Sequence, residues 1–282
     1  MRSYRTRPDS LIIQAGIMGI FNEMQPRLTV RQIYYALTVK GLVPKTERGY
    51  KRVCYQLKIM REQELIPYYW IADNTRYQIK PWSSPSLEDA LDYWQDAYRR
   101  DLWIDQRDYV EIWIEKDALA GVVSTVTREY DVPLCVARGY SSTTFIYEAA
   151  VALHEIGKHA YIYHFGDYDP SGVDAAYKIG HGLLLFGSDI TFERMAITPD
   201  QIELYNLPTR ETKKSDPRSK QWGDQPSVEL DALPAPILRS LVRECIERHI
   251  DQEQLEFTRL IEESERNTLL EIRQNLNPCL KF

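Results

Sequence analysis

The chain has no long apolar segment and few cysteines. No apolar run in its 282 residues approaches the length of ~20 residues that a membrane-spanning helix needs. The four cysteines are scattered singly, without the spacing of a zinc site or a disulfide framework. The apolar stretch after the basic start is short and contains Gln14 and Asn22, which is unlike a signal peptide. These absences argue against a membrane or secreted protein and favour free thiols in a reducing cytoplasm.

The sequence contains no internal repeats. It also contains no glycine-rich phosphate-binding motif, so ATP-driven work by this chain alone is not expected. A hydrophobic content of 44% with 27% charged residues is typical of a globular protein. The length indicates about two domains.

Charge is divided unevenly along the chain. The formal net charge is −6, yet Met1 to Glu64 carries 12 Lys/Arg against 5 Asp/Glu, a balance of +7. The remainder carries 23 Lys/Arg against 36 Asp/Glu, a balance of −13. A basic unit before an acidic one supports an N-terminal contact with phosphates and a C-terminal metal site.

The first eighty residues contain three helical patterns and a hairpin pattern. Apolar residues at helical spacing run from Leu11 to Met24. A second helix is predicted at Val30–Val39, and a third from its N-cap Thr46 to about Glu62. Two short strands are predicted at Leu65 to Ile71 and Thr75 to Ile79. This order is typical of a winged helix-turn-helix domain, which we assign to residues 1–80.

In such a domain one helix enters the major groove of DNA, and here it is Glu47 to Arg61. Basic side chains occupy the outer faces of that helix. The candidate DNA-binding residues are Lys51, Arg52, Lys58 and Arg61. Their alternative interpretation is an ordinary solvated helix face.

A proline- and serine-rich break, Pro81 to Ser86, separates this domain from the rest. Residues 81–107 are predicted to be a linker with a bridging helix from Leu87 to about Arg100. Strand and helix patterns then alternate, which favours an α/β fold with a mostly parallel sheet over residues 108–207. We predict strands at residues 109–114, 133–137 and 159–165, and helices at residues 117–129, 143–155 and 171–185. Residues 208–282 are predicted to be a loop followed by a helical extension.

Acidic residues follow two of the predicted strands. Glu115 comes directly after strand 109–114, and Asp167 and Asp169 come after strand 159–165. Because the carboxyl ends of neighbouring parallel strands converge on one crevice, we expect the three carboxylates to lie together. An oxygen-only set of this kind suits Mg²⁺, for which Mn²⁺ can substitute. The alternative is a solvated strand end and a turn that caps a helix.

The two acidic segments resemble the Toprim domain, the metal-binding module of topoisomerases, primases and some nucleases. The segments are Glu115-Lys116-Asp117-Ala118 and Gly166-Asp167-Tyr168-Asp169-Pro170-Ser171-Gly172. They are most similar to the A subunit of topoisomerase VI and its meiotic relative, the double-strand-break transesterase. Ser171 stands where other Toprim families carry a third acid, as the A-subunit pattern has it.

The same family places an Arg-x-Ile/Leu-Tyr-Tyr segment in its winged-helix domain, and Arg31-Gln32-Ile33-Tyr34-Tyr35 resembles it. The resemblance implies that Tyr35 attacks the DNA phosphodiester and that Arg31, four residues earlier on one helical face, assists it. Glu115 would join them in catalysis. The alternative is that both tyrosines are ordinary packing residues. Tyr34 is distinguished from Tyr35 by the resemblance alone.

The resemblance implies Mg²⁺-dependent cleavage of double-stranded DNA with a 5′-phosphotyrosyl link. It also implies a homodimer, in which the tyrosine of one subunit works over the metal of the other, and a separate ATPase subunit for topoisomerase activity. Two alternatives stay open. One is a Toprim nuclease or nickase, in which water attacks. The other is a DNA-binding regulator with an inactive Toprim domain. Any of these would be cytoplasmic and associated with the nucleoid.

Overall fold

The computed structural model describes residues 8–24, 27–72, 81–212 and 218–276. Helices surround a parallel sheet in an α/β arrangement. The helices are α1 (Pro8–Met24), α2 (Val30–Val39), α3 (Glu47–Glu62), α4 (Leu87–Ala97), α5 (Asp117–Thr127), α6 (Thr143–Ile156), α7 (Pro170–Leu185), α8 (Pro199–Leu204), α9 (Ser219–Trp222), α10 (Ala235–Glu247) and α11 (Gln252–Leu276). The strands are β1 (Tyr109–Ile114), β2 (Leu134–Val136), β3 (Ala160–Phe165) and β4 (Ile190–Ala196).

The second and third helices begin where the sequence predicts because threonine caps each one. The Thr29 hydroxyl accepts from the Gln32 backbone and the Gln32 side chain accepts from the Thr29 backbone, which is a capping box. The Thr46 hydroxyl accepts from the Gly49 backbone at 3.1 Å. Between the helices, Gly41 has a φ of 69°, a left-handed conformation that glycine adopts without strain. The helices α1, α2 and α3 pack on one another around buried isoleucine and leucine side chains.

The predicted hairpin is wrong in its first strand. Tyr68–Trp70 is a short 3₁₀ helix, and only a single bridge joins Ile71 to Leu28. A proline at position 67 starts this turn, and the aromatic ring of Trp70 packs on Phe21 instead of alternating along a strand. The predicted second strand, Thr75 to Ile79, lies outside the described residues.

The sheet is entirely parallel, in the order β2-β1-β3-β4. This confirms the predicted α/β class with a parallel sheet. The central pair is β1 and β3, whose residues run in register from Tyr109 beside Ala160 to Ile114 beside Phe165. The two strands therefore end side by side, and the segments that follow them start from neighbouring points.

Both faces of the sheet are covered, so its strands are buried. On β1, Val110, Ile112 and Ile114 pack with the cluster that includes α5 and α10, whereas Trp113 packs on the opposite face among α6 and α7. This alternation follows from the two-residue period of a strand. Of the two predicted C-terminal helices, α10 packs against α5, while α11 packs along α4.

Three elements were not predicted: β4, α8 and α9, the last of which lies within the loop predicted to precede the helical extension. The strand β4 pairs with β3, and α8 follows it with a Thr198 capping box. The segment Ile190–Ala196 mixes Thr, Glu and Arg with apolar residues because it is the edge strand and is partly exposed. Its pattern is therefore weaker than that of the buried strands. None of the helices in the described part of the chain is both long and apolar enough to cross a lipid bilayer.

Candidate active site

The predicted acids meet at the carboxyl edge of the sheet. Glu115 follows β1, and its Oε2 accepts a hydrogen bond of 2.9 Å from the backbone N–H of Asp167, which follows β3. The Glu115 backbone N–H in turn donates to the Phe165 carbonyl at 2.9 Å. Asp169 is the N-cap of α7, where its Oδ1 accepts from the Gly172 backbone at 2.8 Å. The structure therefore brings Glu115 and Asp167 into direct contact, with Asp169 two residues on.

Glycines keep space beside the Glu115 carboxylate. A Cβ at Gly166 would lie 2.8 Å from Glu115 Oε2, and one at Gly172 would lie 3.3 Å from it. The Gly166 backbone is fixed to the end of β4, because its N–H donates to the Ala196 carbonyl at 2.8 Å. Arg194 of β4 also donates to the Gly166 and Asp167 carbonyls, at 3.1 and 2.6 Å. The strand β4, which was not predicted, thus holds in place the acidic loop, the segment after β3 that carries Asp167 and Asp169.

Burial makes ionisation of the Glu115 and Asp167 carboxyl groups unfavourable. It raises the pKa of Glu115, and the neighbouring Asp167 carboxylate raises it further. Burial also raises the pKa of Asp167, although the Lys116 ammonium and the Leu230 backbone N–H act in the opposite direction. A cation placed between these carboxylates would relieve that cost.

The acidic edge fits Mg²⁺ in donor chemistry. Oε2 of Glu115 and Oδ1 of Asp167 accept hydrogen bonds, while the described residues give none to Glu115 Oε1 or Asp167 Oδ2. However, within those same residues no set of three or more His, Cys, Asp or Glu side chains is grouped closely enough to hold a metal. The magnesium site at Glu115, Asp167 and Asp169 therefore stays a prediction.

Lys116 is the counter-ion of this edge. Its Nζ lies 3.0 Å from Asp167 Oδ1, 2.7 Å from Asp231 Oδ2 and 3.7 Å from Glu229 Oε2. Burial lowers the pKa of Lys116, but these three carboxylates outweigh burial and raise it. The ammonium group thus connects the predicted acids to a second acidic segment, Glu229 to Asp231, which the sequence analysis did not single out.

Glu229 connects the N-terminal helices to this edge of the sheet through side-chain contacts. Its Oε2 lies 2.5 Å from Arg31 Nη1 and 3.1 Å from the Tyr35 hydroxyl. Its Oε1 is bound by Arg210, which also lies 3.1 Å from Asp169 Oδ2. The candidate nucleophile and its helper therefore share one network of charges with the predicted metal ligands, within a single chain.

Tyr35 is buried and protonated in this arrangement. The residue is 8% exposed, and its hydroxyl donates to an anionic carboxylate. Burial raises the pKa of Tyr35 and Glu229 raises it further, although Arg31 acts in the opposite direction. An attack by Tyr35 therefore needs both access for the phosphate and a group that takes the proton.

The two adjacent tyrosines have different surroundings. The Tyr34 hydroxyl donates to the backbone carbonyls of Pro44 and Thr46, at 3.4 and 3.2 Å, in the turn before α3. The Tyr35 hydroxyl faces Glu229 instead. The Tyr35 hydroxyl, and not the Tyr34 hydroxyl, therefore contacts the charge network, while the choice of nucleophile stays a prediction.

An open groove of about 620 Å³ runs beside the site. Its walls include Arg31 and Arg61 from the N-terminal helices and Glu115, Lys116 and Arg138 from the sheet edge. Of the four predicted DNA-binding residues, Arg61 is the one that lines this groove. Lys51 and Arg52 line a different cleft beside Asp9, and Lys58 pairs with Glu62 on an exposed face. The four basic residues thus do not form one surface.

Gly172 packs closely against the backbone of Asp167, and a substitution tests this packing. A Cβ at this position would lie 2.6 Å from the Asp167 carbonyl oxygen. We expect Gly172→Ala to lower the free energy of unfolding by about 1–3 kcal/mol, since the backbone of the acidic loop has to move. Urea denaturation measures the change.

Gly19→Ala is the matched control, because a Cβ in that helical position meets nothing within 4 Å. It should be neutral or stabilise by up to about 1 kcal/mol. Equal effects of the two substitutions would contradict the packing described for Gly172.

A comparison with models of known protein families finds no match, and a comparison with curated proteins finds none either. The functional assignment therefore depends on the motifs and on the geometry of the site.

Sequence reasoning missed Glu229, Asp231 and Arg210. They lie more than forty residues beyond Asp169, in a stretch without a strand-end pattern. The available signal was weak: Glu229 and Asp231 are acids in an otherwise apolar segment, Val228 to Leu233. Such acids are rarely buried unless they are paired, so their position hinted at cationic partners.

Proposed function

We propose that this protein cleaves DNA by Mg²⁺-dependent tyrosine transesterification, in the manner of the topoisomerase VI A subunit. Tyr35 is the nucleophile and Arg31 its helper. The observation that carries the proposal is the contact of both side chains with Glu229, which Lys116 and Arg210 connect to Asp167 and Asp169. A packing tyrosine has no need of such a network.

In this proposal residues 1–80 are a winged-helix domain and residues 108–207 a Toprim domain. Residues 81–107 link them, and residues 208–282 form the extension. The extension takes part in the site, since it supplies Glu229 and Arg210. Double-stranded DNA enters the groove lined by Arg31, Arg61 and Arg138, where guanidinium groups bind phosphate oxygens.

Tyr35 attacks phosphorus, and its phenol oxygen replaces the 3′ oxygen of the cleaved strand. Covalent attachment conserves the phosphodiester energy, so the break can be resealed. Glu115, Asp167 and Asp169 would hold Mg²⁺, which neutralises charge on the phosphate and stabilises the departing oxygen. Arg31 orients the phosphate beside the tyrosine.

The resemblance led us to expect a tyrosine that works over the partner's metal. In this structure Tyr35 lies beside acids of its own chain. One chain thus carries a complete candidate set for one strand. A homodimer remains the proposed way to cut both strands, and a separate ATPase subunit is needed only if the protein passes strands.

A second candidate is a hydrolytic Toprim nuclease or nickase. The observation in its favour is the burial of Tyr35, whose ring packs in the core. In that case Mg²⁺-activated water attacks and Tyr35 only packs. A DNA-binding regulator is the third candidate, supported by the pairing of Asp167 with Lys116 and of Asp169 with Arg210, two cations whose charge opposes a metal at these carboxylates.

Supercoiled plasmid incubated with the protein and Mg²⁺ or Mn²⁺ tests the proposal. We expect detergent-quenched reactions to contain breaks with covalently bound protein, visible as DNA that changes mobility after protease treatment. Asp167→Ala should abolish these breaks because it removes a carboxylate from the metal set.

Breaks that carry no protein would indicate the nuclease instead. Binding without any break, in the presence of either metal, would favour the regulator. Chelation with EDTA is the matched control, and it should stop cleavage in both enzymatic cases.

A further inference from the structure

The proposed attack requires an acceptor for the Tyr35 proton, and Glu229 occupies that position. The distance of 3.1 Å from the Tyr35 hydroxyl to Glu229 Oε2 lies within the range for direct proton transfer. The Oε2 atom of Glu115, which the sequence predicts as a metal ligand, accepts from the Asp167 backbone N–H instead. Among the described residues, no hydrogen bond joins Glu115 to Tyr35.

Hydrogen bonds made by both sequence neighbours of Glu229 attach it to the acidic loop. On one side of it, Val228 exchanges two backbone hydrogen bonds with Tyr168, at 2.8 and 2.9 Å. On the other side, the Leu230 N–H donates to Asp167 Oδ1 at 2.7 Å. The carboxylate therefore reaches towards the N-terminal helices from a fixed base, and its side chain is only 10% exposed.

We propose that Glu229 is the general base of the cleavage step, an inference that rests on the proposed function. The Tyr35 O–H bond breaks and its proton passes to Glu229 Oε2. The phenol oxygen bonds to phosphorus, the bond from phosphorus to the 3′ oxygen breaks, and that oxygen takes a proton from solvent. In resealing, the 3′ hydroxyl loses its proton to solvent and its oxygen bonds to phosphorus, the bond from phosphorus to the tyrosine oxygen breaks, and the protonated Glu229 returns its proton to the departing phenolate.

The charges around Glu229 make it a weak base before DNA binds. Burial acts to raise the pKa of Glu229, but Lys116, Arg31 and Arg210 outweigh it and hold the pKa at about 2. The other groups that face the network are Asp231 beside Lys116, and Lys45, whose Nζ lies 5.7 Å from the centre of the Tyr35 ring.

Substrate binding changes this balance. Arg31 is the most exposed of the three cations, with 45% of its side chain accessible, and it lines the groove. A DNA phosphate in the groove competes with Glu229 for the Arg31 guanidinium. Loss of that ion pair raises the basicity of Glu229. The base thus becomes effective when a phosphate is present to be attacked.

Glu229→Gln tests the role, because the amide keeps the size and hydrogen-bonding capacity but accepts no proton. We expect covalent adducts to form about 10²–10⁴-fold more slowly at neutral pH, while binding of the plasmid is retained. The rate of the variant should continue to rise with pH beyond the point where the wild-type rate levels off, since the phenolate then has to form unaided. Glu211→Gln, at an exposed neighbour of Arg210, is the matched control and should behave as the wild type.

If Glu229→Gln fails to fold, Glu229→Asp replaces it. That variant keeps the charge and withdraws the carboxylate from Tyr35, so adduct formation should slow while the pH profile stays that of the wild type. Adducts formed by Glu229→Gln at the wild-type rate, or faster, would overturn the role of Glu229 and leave the proposed function intact. Wild-type breaks that carry no protein would overturn the proposed function itself, and the role of Glu229 with it.

Discussion

Replacing Tyr35 with phenylalanine is expected to reduce protein-linked DNA breaks at least about 10³-fold, because the substitution removes the attacking oxygen. The ring stays, so the packing of Tyr35 against Tyr34, with ring centroids 5.3 Å apart, is kept. The measurement is plasmid cleavage with Mg²⁺, quenched by detergent and analysed with and without protease. Thermal denaturation should show a folded variant.

Tyr34→Phe is the matched control for this experiment. It removes a hydroxyl from the neighbouring position, where it contacts the turn carbonyls of Pro44 and Thr46 and not the acids. We expect adducts at close to the wild-type level. A reversal, with Tyr34→Phe inactive and Tyr35→Phe active, would refute the assignment of the nucleophile. Breaks that persist equally in both variants would indicate that water attacks.

Replacing Lys116 with methionine is expected to lower the free energy of unfolding by about 3–5 kcal/mol. Lys116 is the shared partner of Asp167, Asp231 and Glu229, and Asp231 is only 3% exposed. Methionine has a similar length but no charge, so it leaves buried carboxylates without compensation. Urea denaturation at neutral pH in the absence of divalent metal measures the loss.

Lys178→Met is the control, since Lys178 and Asp174 form a more exposed pair one helical turn apart. Its expected cost is at most about 1 kcal/mol. Mg²⁺ should stabilise Lys116→Met more than the wild type, because the ion then replaces a lost positive charge and binds the folded state alone. No difference in the effect of Mg²⁺ between the two would argue against a metal at this edge.

The charge network around Glu229 also explains why the N-terminal helices pack against the carboxyl edge of the sheet. Arg31 and Tyr35 lie on the face of α2 that meets Glu229, while Lys45 donates to the Thr209 carbonyl. A buried core connects the same surfaces, with Leu37 and Leu233 in one cluster. In the proposed function, DNA that reaches Tyr35 would therefore have to compete with contacts between the two parts of one chain.

Much of the fold could be predicted because its signals are local. Thr29 and Thr46 cap their helices, and the buried strands β1 and β3 are apolar runs of six residues. The prediction failed where the signal came from elsewhere in the molecule. The edge strand β4 is partly polar because only one side pairs, and Leu65 to Ile71 turns because Trp70 packs on Phe21.

The acids of the site could be located from the sequence because Glu115, Asp167 and Asp169 directly follow strands that end side by side. Strand order alone brings such residues together, whatever the rest of the chain does. Tyr35 and Arg31 could be singled out only by resemblance, since a helix pattern does not tell which face meets another domain.

The sequence by itself determined most of the helices, the central strands and the sheet edge that Glu115, Asp167 and Asp169 follow, because caps, periodicity and strand ends act over a few residues. Only the tertiary structure decided that Tyr35 and not Tyr34 faces that edge, and that Glu229 lies between it and the acids. Glu229 is 194 residues from Tyr35 along the chain. Contacts between residues so far apart in sequence depend on how whole helices and strands pack. A charge that this packing buries then needs an oppositely charged partner nearby.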